Sequence, residues 1–542
     1  MTNLEEGGKF FTFKDESMPD PAVNSTPAKR IAAIDLGTNS FHAVLVDIYP
    51  DGSFRTIDKL KEMVILAEKG LENRLSADAM QRGLEALRRI KFLCDSQEVE
   101  TILAFATSAI REAENGGDFI HRVNEEAGIK VRAISGKMEA EMIGYAVRHG
   151  VVLSEEMVLM VDIGGGSVEF IVGNKKELVF FTSLKLGVAR MAAKFVHSDP
   201  ITAEEINVLQ DHFKEELQEV AEVVGKHKVK TIIGSSGTME NIAAMVAGRN
   251  SITAKISLNE LEFPRADFLD FYEEFIQKDR AQRLKEKELE EKRVDIINPG
   301  LVLLKYLIEV FGIEKIRISE SALREGMILK FISEQKDKLN LDLIANFKDP
   351  RKRSVYELLR KTNWLKDHSK HVCNFALQLF DEFQTELGLE ESDRELLEYA
   401  TLMHDIGYYI SYRKHHKHAL YLIRNSDLLG FKEDEINIMA NVARYHRKSP
   451  PAKRHKRYRQ LDKKARKRVK KLSALLRIAD GLDRSHYQNV RKLEIKKEEH
   501  FVKLLITTYS DPELEIWGCL RKSKLFEEIT GRKVEVYSVT EK

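Results

Sequence analysis

The spacing of apolar and polar positions changes character twice along the 542-residue chain. From Lys29 onward, short apolar runs alternate with stretches of 3.6-residue period. Strands are predicted at 31–35, 41–48, 101–106, 131–134, 158–162, 167–173, 231–233 and 315–318. Helices are predicted at 77–94, 119–127, 139–150, 203–224 and 321–331, with one more opening at Met239. Residues 271–293 read as a single mixed-charge helix whose charges form a solvated face. Beyond Phe347 only the helical period remains, as far as Arg484. Strand-like segments return at 492–496, 502–507 and 533–539, around a short helix. The first 28 residues mix Gly, Pro, Asp, Ser and Lys without a period and read as a disordered tail.

Within the alternating region two segments repeat one another. Ile34-Asp35-Leu36-Gly37-Thr38-Asn39-Ser40-Phe41 is matched by Val161-Asp162-Ile163-Gly164-Gly165-Gly166-Ser167-Val168-Glu169-Phe170. Each is an apolar strand ending in Asp, a glycine turn carrying hydroxyl side chains, and a second strand. A Walker loop leads into a helix and carries Gly-Lys-Ser/Thr, and neither copy does. Glycine lets backbone N–H groups converge on an anion without a Cβ in the way. Thr38, Asn39, Ser40 and Ser167 can add side-chain donors, and Asp35 and Asp162 suit a hard cation such as Mg²⁺. Gly234-Ser235-Ser236-Gly237-Thr238, ahead of the helix at Met239, reads as a third anion loop.

This duplication resembles the superfamily of actin, sugar kinases and heat-shock ATPases, which implies two ribonuclease-H-like α/β lobes facing each other across a phosphate cleft. The expected lobes are 29–148 and 149–335, with the helix at 321–335 placed where it can return to the first. An all-α HD-like domain at 345–488 and a small α+β domain at 489–542 complete the expected organisation.

Composition narrows the function classes. Lys plus Arg number 87 against 86 Asp plus Glu, a net charge of +1, which argues against a uniformly basic nucleic-acid binder. At 43% hydrophobic residues the chain is not an acidic disordered one. Cys94, Cys373 and Cys519 lie far apart with no CxxC, so reduced thiols are expected. No run of about 18 apolar residues and no signal pattern occur, and a soluble, cytoplasmic protein without membrane contact is expected.

Further segments select a family. Ala106-Thr107-Ser108-Ala109-Ile110-Arg111, Ile134-Ser135-Gly136-Lys137-Met138-Glu139-Ala140, the second glycine turn and Ala322-Leu323-Arg324-Glu325-Gly326 stand in order. With Tyr421–Phe431 and Arg444–Lys448 they resemble the exopolyphosphatase / guanosine pentaphosphate phosphatase family in its long, multidomain form. The resemblance implies a Mg²⁺- or Mn²⁺-dependent phosphoric anhydride hydrolase and a homodimer. Its substrate would be inorganic polyphosphate or the 5′ γ-phosphate of pppGpp; a second reading is a (p)ppGpp-binding regulator. Glu139 falls on the family's catalytic carboxylate and would activate water, although Met138 replaces the acid that usually precedes it. Arg111 would fork onto phosphate oxygens. Asp162, Gly164, Gly165, Gly166, Ser167 and Glu169 match the loop that serves metal and phosphate.

In the helical region His368, His404-Asp405, His418, His446 and Asp480 follow the order of an HD phosphohydrolase. By that resemblance His368, His404, Asp405 and Asp480 would form one metal site, and His418 with His446 a second. Either the site holds metal and carries a second hydrolase activity, or it is a structural and substrate-binding relic. His371, His415 and His416 are expected at the surface. Residues 447–471 hold 14 Lys or Arg and one acid, Asp462, so this stretch is +13 and the rest of the chain −12. Lys463, Lys464, Arg466, Lys467 and Arg468 would form a counter-surface for a long polyanion, here polyphosphate rather than a specific nucleic acid.

Overall fold

The computed structural model describes residues 27–50, 52–66, 74–249, 258–335, 349–362 and 364–540. The expected N-terminal tail lies outside the described residues except for its last two. Two sheets dominate the first 335 residues. The first contains β1 (Lys29–Leu36), β2 (Ser40–Ile48), β3 (Phe54–Met63), β4 (Thr101–Ala106) and β5 (Val131–Ala133), in the order β3-β2-β1-β4-β5. The second contains β6 (Val158–Ile163), β7 (Val168–Gly173), β8 (Leu178–Leu184), β9 (Thr231–Ser235), β10 (Glu262–Pro264) and β11 (Lys315–Ile318), in the order β10-β11-β9-β6-β7-β8. Apart from the edge strand β10, the second sheet repeats the first. In each, an antiparallel hairpin carries a glycine turn, and the strand ending in Asp runs parallel to the next. Asp35 faces His42 across its hairpin, and Asp162 faces Glu169.

The helices of this region are α1 (Ala77–Ser96), α2 (Ser108–Glu112), α3 (Gly116–Ala127), α4 (Gly136–Gly150), α5 (Val188–Phe195), α6 (Ala203–Glu216), α7 (Gln218–Lys226), α8 (Ser236–Arg249), α9 (Arg265–Phe275), α10 (Arg280–Arg283), α11 (Ile297–Phe311) and α12 (Leu323–Gln335). Two expected helices are broken. The segment 203–224 divides at Leu217, between α6 and α7. The mixed-charge segment 271–293 is not one helix. α9 stops at Phe275, and Asp279 restarts the chain as a capping box with Gln282, each side chain accepting from the other residue's backbone N–H. The strands β3 and β8 and the helix α5 fall where no element was predicted; β3 and β8 are only partly buried edge strands, so their apolar alternation is weak.

The cores explain the lobe arrangement. α1 and α3 cover one face of the first sheet, burying Leu84, Leu87, Phe119 and Val123 against Ile34, Phe41 and Leu45. In the second sheet Phe170 and Ile232 pack under Phe213, Met239 and Leu304. Between the sheets lies a shared layer: Met142, Ile143 and Val147 of α4 and Met327, Ile328 and Ile332 of α12 pack with Ala33 and Val44 of the first sheet and Met160 and Ile171 of the second. α4 rests on β7 and β8, and α12 rests on β1. The two helices meet closely at Gly326, where a Cβ would sit 2.1 Å from the Met142 carbonyl oxygen.

The remaining helices are α13 (Pro350–Lys361), α14 (Lys366–Leu387), α15 (Glu391–Leu402), α16 (His415–Arg424), α17 (Glu433–Arg444), α18 (Lys456–Arg459) and α19 (Lys463–Gly481). The tail adds β12 (Val490–Lys497), β13 (Phe501–Thr508), α20 (Glu513–Lys522), α21 (Lys524–Thr530) and β14 (Lys533–Thr540). Its three-stranded sheet shares one continuous core with the helices, with Phe383 of α14 edge-on to Phe526. Arg353 donates to the His149 carbonyl at the end of α4 and Arg360 to the Ser53 hydroxyl beside β3, tying the helical region to the two-sheet region. Cys94, Cys373 and Cys519 are buried free thiols. Among the described residues no helix is long and apolar enough to cross a membrane.

Candidate active site

The two glycine turns have the same local geometry. A Cβ on Gly37 would lie 3.1 Å from the Ser40 carbonyl oxygen, and one on Gly164 would lie 3.0 Å from that of Ser167. The turns also face each other: a Cβ on Gly165 would meet Asn39 Nδ2 at 3.1 Å and Thr38 Cβ at 3.4 Å. The start of α5 closes behind the second turn, where Val188 and Ala189 donate N–H to the carbonyls of Gly164 and Gly165 at 2.9 Å. Gly187 is packed so tightly there that a Cβ would fall 2.4 Å from Gly165 and Gly166 backbone atoms.

Glu139 enters from the first turn of α4. Ser135 caps this helix by accepting from the Met138 N–H at 3.2 Å. Arg111, at the end of α2, donates Nη1–H to Glu139 Oε2 at 2.9 Å and to the Ile134 carbonyl at 3.0 Å. Glu139 is 6% exposed. Burial pushes its pKa up to about 7, against the pull of Arg111, with a smaller push from Asp35 and Asp162. Glu112 beside it pairs across the cleft with Arg190 at 2.8 Å and Lys185 at 3.1 Å.

Around these groups lie more buried carboxylates. Burial raises Asp35 to about 7 and Asp162 to about 6, with Arg324 opposing both. Burial and the neighbouring Glu139 and Asp162 hold Glu169 well above the usual carboxylate range. Ser183 donates to Glu169 at 2.7 Å, and Ser235 donates to Asp162 at 2.7 Å. Asp35 Oδ1 is buried without a hydrogen-bond partner. An all-oxygen set with an orphaned carboxylate oxygen fits a hard divalent cation. Among the described residues these carboxylates do not bring three ligand atoms within 4.8 Å of one another.

The third expected loop lies at a strand-to-helix corner. Gly234 and Ser235 end β9 and are buried, and α8 begins directly at Ser236, whose φ of 86° marks a strained strand-to-helix corner. Ser236 Oγ donates to the Ile163 carbonyl at 3.1 Å. Arg293 covers the helix start: its Nη1 donates to Thr238 Oγ1 at 3.0 Å, and a Cβ on Gly237 would collide with its guanidinium. Ser235 and Ser236 thus bond to the end of β6, and Arg293, which the sequence did not single out, stands over the start of α8.

A second unforeseen group is His42. Arg324 Nη1 lies 2.9 Å from His42 Nδ1, and His42 Nε2 lies 2.7 Å from Ser40 Oγ. Arginine only donates, so Nδ1 accepts and Nε2 carries the proton. Burial, then Arg324 and Lys61, lower the His42 pKa to about 3 and keep it neutral. Ser40 therefore accepts from His42, leaving its own hydroxyl hydrogen available to donate.

In the helical region His368, His404, Asp405, His446 and Asp480 come together as expected, but His418 does not. Its place is taken by His415. His415 opens α16 directly after Lys414, which adopts a left-handed φ of 64°. His415 and His416, expected at the surface, are buried, and His371 is half-buried against Phe375. Asp483, His486 and Lys522 join the cluster without having been anticipated.

The basic stretch is less free than its charge suggests. Arg468 pairs with the buried Asp393, Arg466 donates to the Arg459 and Leu461 carbonyls, and Lys464 pairs with Glu390 at 3.0 Å. Lys463 and Lys467 remain exposed on α19.

Comparison with known proteins bears on this site. The family model of the Ppx/GppA phosphatase family matches residues 45–335, just over half of the chain. A model of Ppx/GppA phosphatase domain III matches residues 351–513. Among solved structures, an exopolyphosphatase from Cytophaga hutchinsonii is 29% identical, with a TM-score of 0.54 over 56% of this chain and 98% of the other. A Ppx/GppA family member from Aquifex aeolicus is 27% identical, with a TM-score of 0.50 over 57% and 98%. With glycine turns opposed across a cleft and a buried Glu–Arg pair between them, the chain belongs to the Ppx/GppA phosphatase family.

Proposed function

We propose that the cleft releases terminal orthophosphate from inorganic polyphosphate. The observation that carries this reading is the buried Glu139, ionisable near neutrality and bound to Arg111, beside the two opposed glycine turns. The exopolyphosphatase fold of the Cytophaga hutchinsonii relative supports the choice of substrate. A chain end sits against the backbone N–H groups of the two glycine turns, at 37–40 and 165–167, with Ser40, Thr38 and Ser167 adding hydroxyl contacts. Arg111 and Arg293 face its oxygens, so developing charge is met by fixed donors.

Glu139 takes a proton from a water as that water's oxygen bonds to the terminal phosphorus and the P–O bond to the preceding phosphate breaks. Asp35, Asp162 and Glu169 would hold a Mg²⁺ or Mn²⁺ ion, which neutralises phosphate charge when bound. The exposed Lys463 and Lys467 extend the basic surface for long chains. The assembly carried by this reading is a homodimer in the cytoplasm, checked by light scattering and fractionation.

The test is a substrate panel on the purified chain: long and short polyphosphate, pppGpp, ppGpp and ATP, each with and without Mg²⁺. Phosphate release from polyphosphate, lost in Glu139→Gln, is expected. Release from pppGpp alone would move the assignment to the guanosine nucleotide, and release from none would refute hydrolysis.

A further inference from the structure

Beside the Glu139–Arg111 pair stands a second carboxylate, Glu112, at the end of α2. Three cations surround it. Its Oε2 accepts from Arg190 Nη2 at 2.8 Å and pairs with Lys185 Nζ at 3.1 Å, while its Oε1 lies 4.0 Å from Arg111 Nη2. The cations come from both halves of the repeat: Arg111 precedes Glu112 in α2, Lys185 follows β8, and Arg190 stands in α5 behind the second glycine turn. Arg111 is shared with Glu139, so these five side chains carry three positive charges against two negative ones.

Arg190 does not depend on Glu112 for its position. Its Nε donates to the Gly166 carbonyl at 3.0 Å, so the guanidinium stays anchored to the second glycine turn if Glu112 withdraws, with Nη2 left to donate. Exposure also rises outward along the set. The Glu139 side chain is 8% exposed, those of Glu112 and Arg190 20%, and that of Lys185 69%. A chain whose terminal phosphate lies beside Glu139 must still reach solvent, and this is a graded path from interior to surface lined with cations. Glu112 stands in that path. A carboxylate bridging a guanidinium and an ammonium carries the charge of one internal phosphate of a linear polyphosphate and meets the guanidinium fork in the same way.

We propose that Arg190 and Lys185 form a subsite for an internal phosphate of the bound chain, and that Glu112 fills it as a stand-in which the chain displaces. The proposal rests on the reading of the cleft as a polyphosphate site. Binding then exchanges one anion for another on the same two cations, so Glu112 acts as a built-in competitor that sets the affinity. Removing its charge while keeping its shape should tighten substrate binding, the opposite of what loss of a merely structural ion pair between the lobes would do.

The test is calorimetric binding of tripolyphosphate and long polyphosphate to the full chain, in a Glu139→Gln background that removes the water-activating group. Adding Glu112→Gln should tighten binding on the order of tenfold, as two charge-assisted contacts become free for the ligand. It should also steepen the fall of affinity with salt, because the freed cations now exchange counterions with the chain. Arg190→Gln on top of Glu112→Gln should abolish the gain. Lys185→Ala, at an exposed position, should weaken binding in the chain that keeps Glu112 and leave the melting temperature unchanged. Equal or weaker binding in Glu112→Gln, or a gain that survives Arg190→Gln, would overturn the proposal. If Glu112→Gln does not fold, an unchanged affinity in Lys185→Ala overturns it instead. Tightening in Glu112→Gln without any phosphate release by the wild type would remove the hydrolase reading and keep the subsite. Phosphate release by the wild type without that tightening would remove the subsite alone.

Discussion

Arg111 Nη1 bonds Glu139 Oε2 at 2.9 Å while also holding the Ile134 carbonyl, so the guanidinium that steadies the loop ahead of α4 also sets the ionisation of the acid on that helix. Burial alone would push Glu139 above its value of about 7, and Arg111 pulls it back. A base must be ionised, so phosphate release should rise with pH up to about 7 and then level. Arg111→Met should move that rising limb to higher pH, besides lowering the plateau. A pH–rate profile of kcat on short polyphosphate checks this; an unmoved limb would mean that another group titrates.

Glu139→Gln should lower phosphate release by about 10²–10⁴-fold with little change in melting temperature, as expected for loss of a general base. Single-turnover phosphate release in both proteins measures it. A tenfold loss or less would assign the water-activating role elsewhere.

The cleft carboxylates also tie stability to pH. Asp35, Glu139 and Glu240 are raised by burial to about 7 and Asp162 to about 6, above their unfolded values. Such groups contribute stability that is fully present below the unfolded pKa and is lost as pH rises through the folded one. The metal-stripped lobes should therefore melt at a lower temperature at pH 8 than at pH 5.5. Added Mg²⁺ should stabilise more at pH 8, where the site is ionised. Calorimetry with and without Mg²⁺ at the two pH values would show equal shifts if these acids were not linked to the ion.

The Arg324–His42–Ser40 chain predicts an effect on binding rather than on chemistry. His42→Phe removes the donor that orients Ser40, at a cost of about 1 kcal/mol. KM for polyphosphate should rise several-fold while kcat changes little. An equal fall in kcat at constant KM would contradict the relay.

On α19 neighbouring cations should separate. Arg468→Ala strands Asp393 in the interior and should cost about 3–5 kcal/mol in thermal or denaturant unfolding. Lys463→Glu with Lys467→Glu should leave stability within about 0.5 kcal/mol. The same pair should weaken long-chain polyphosphate binding and flatten its salt dependence more than short-chain turnover. Equal effects on long and short chains would remove this surface from substrate binding.

What the sequence made legible was local. The strand–turn–strand repeat with Asp at its corner is readable because a glycine turn and its flanking strands lie within ten residues, and the register of Asp35 and Asp162 follows from them. The Asp279–Gln282 capping box is local too, but the charge run around it masks the break. Other parts depend on distant packing. Arg324 meets His42 across 282 positions, and Arg293 reaches Thr238 across 55. That His415 rather than His418 faces Asp405 is set by how α16 packs against the segment at 405, which local spacing does not show. In the basic stretch the sequence gives charge, whereas the partners Asp393 and Leu461 decide which cations are available.

α4 follows the first sheet in sequence yet lies against β7 and β8 of the second, while α12 follows the second sheet and lies against β1 of the first. The lobes have exchanged helices, so neither half of the repeat is a free-standing unit: cut apart, each would expose the shared layer. Widening the cleft would shear α4 along α12, which touch closely at Gly326. Glu139 stands in the first turn of α4, so any change in the angle between the lobes would alter the distance between base and substrate.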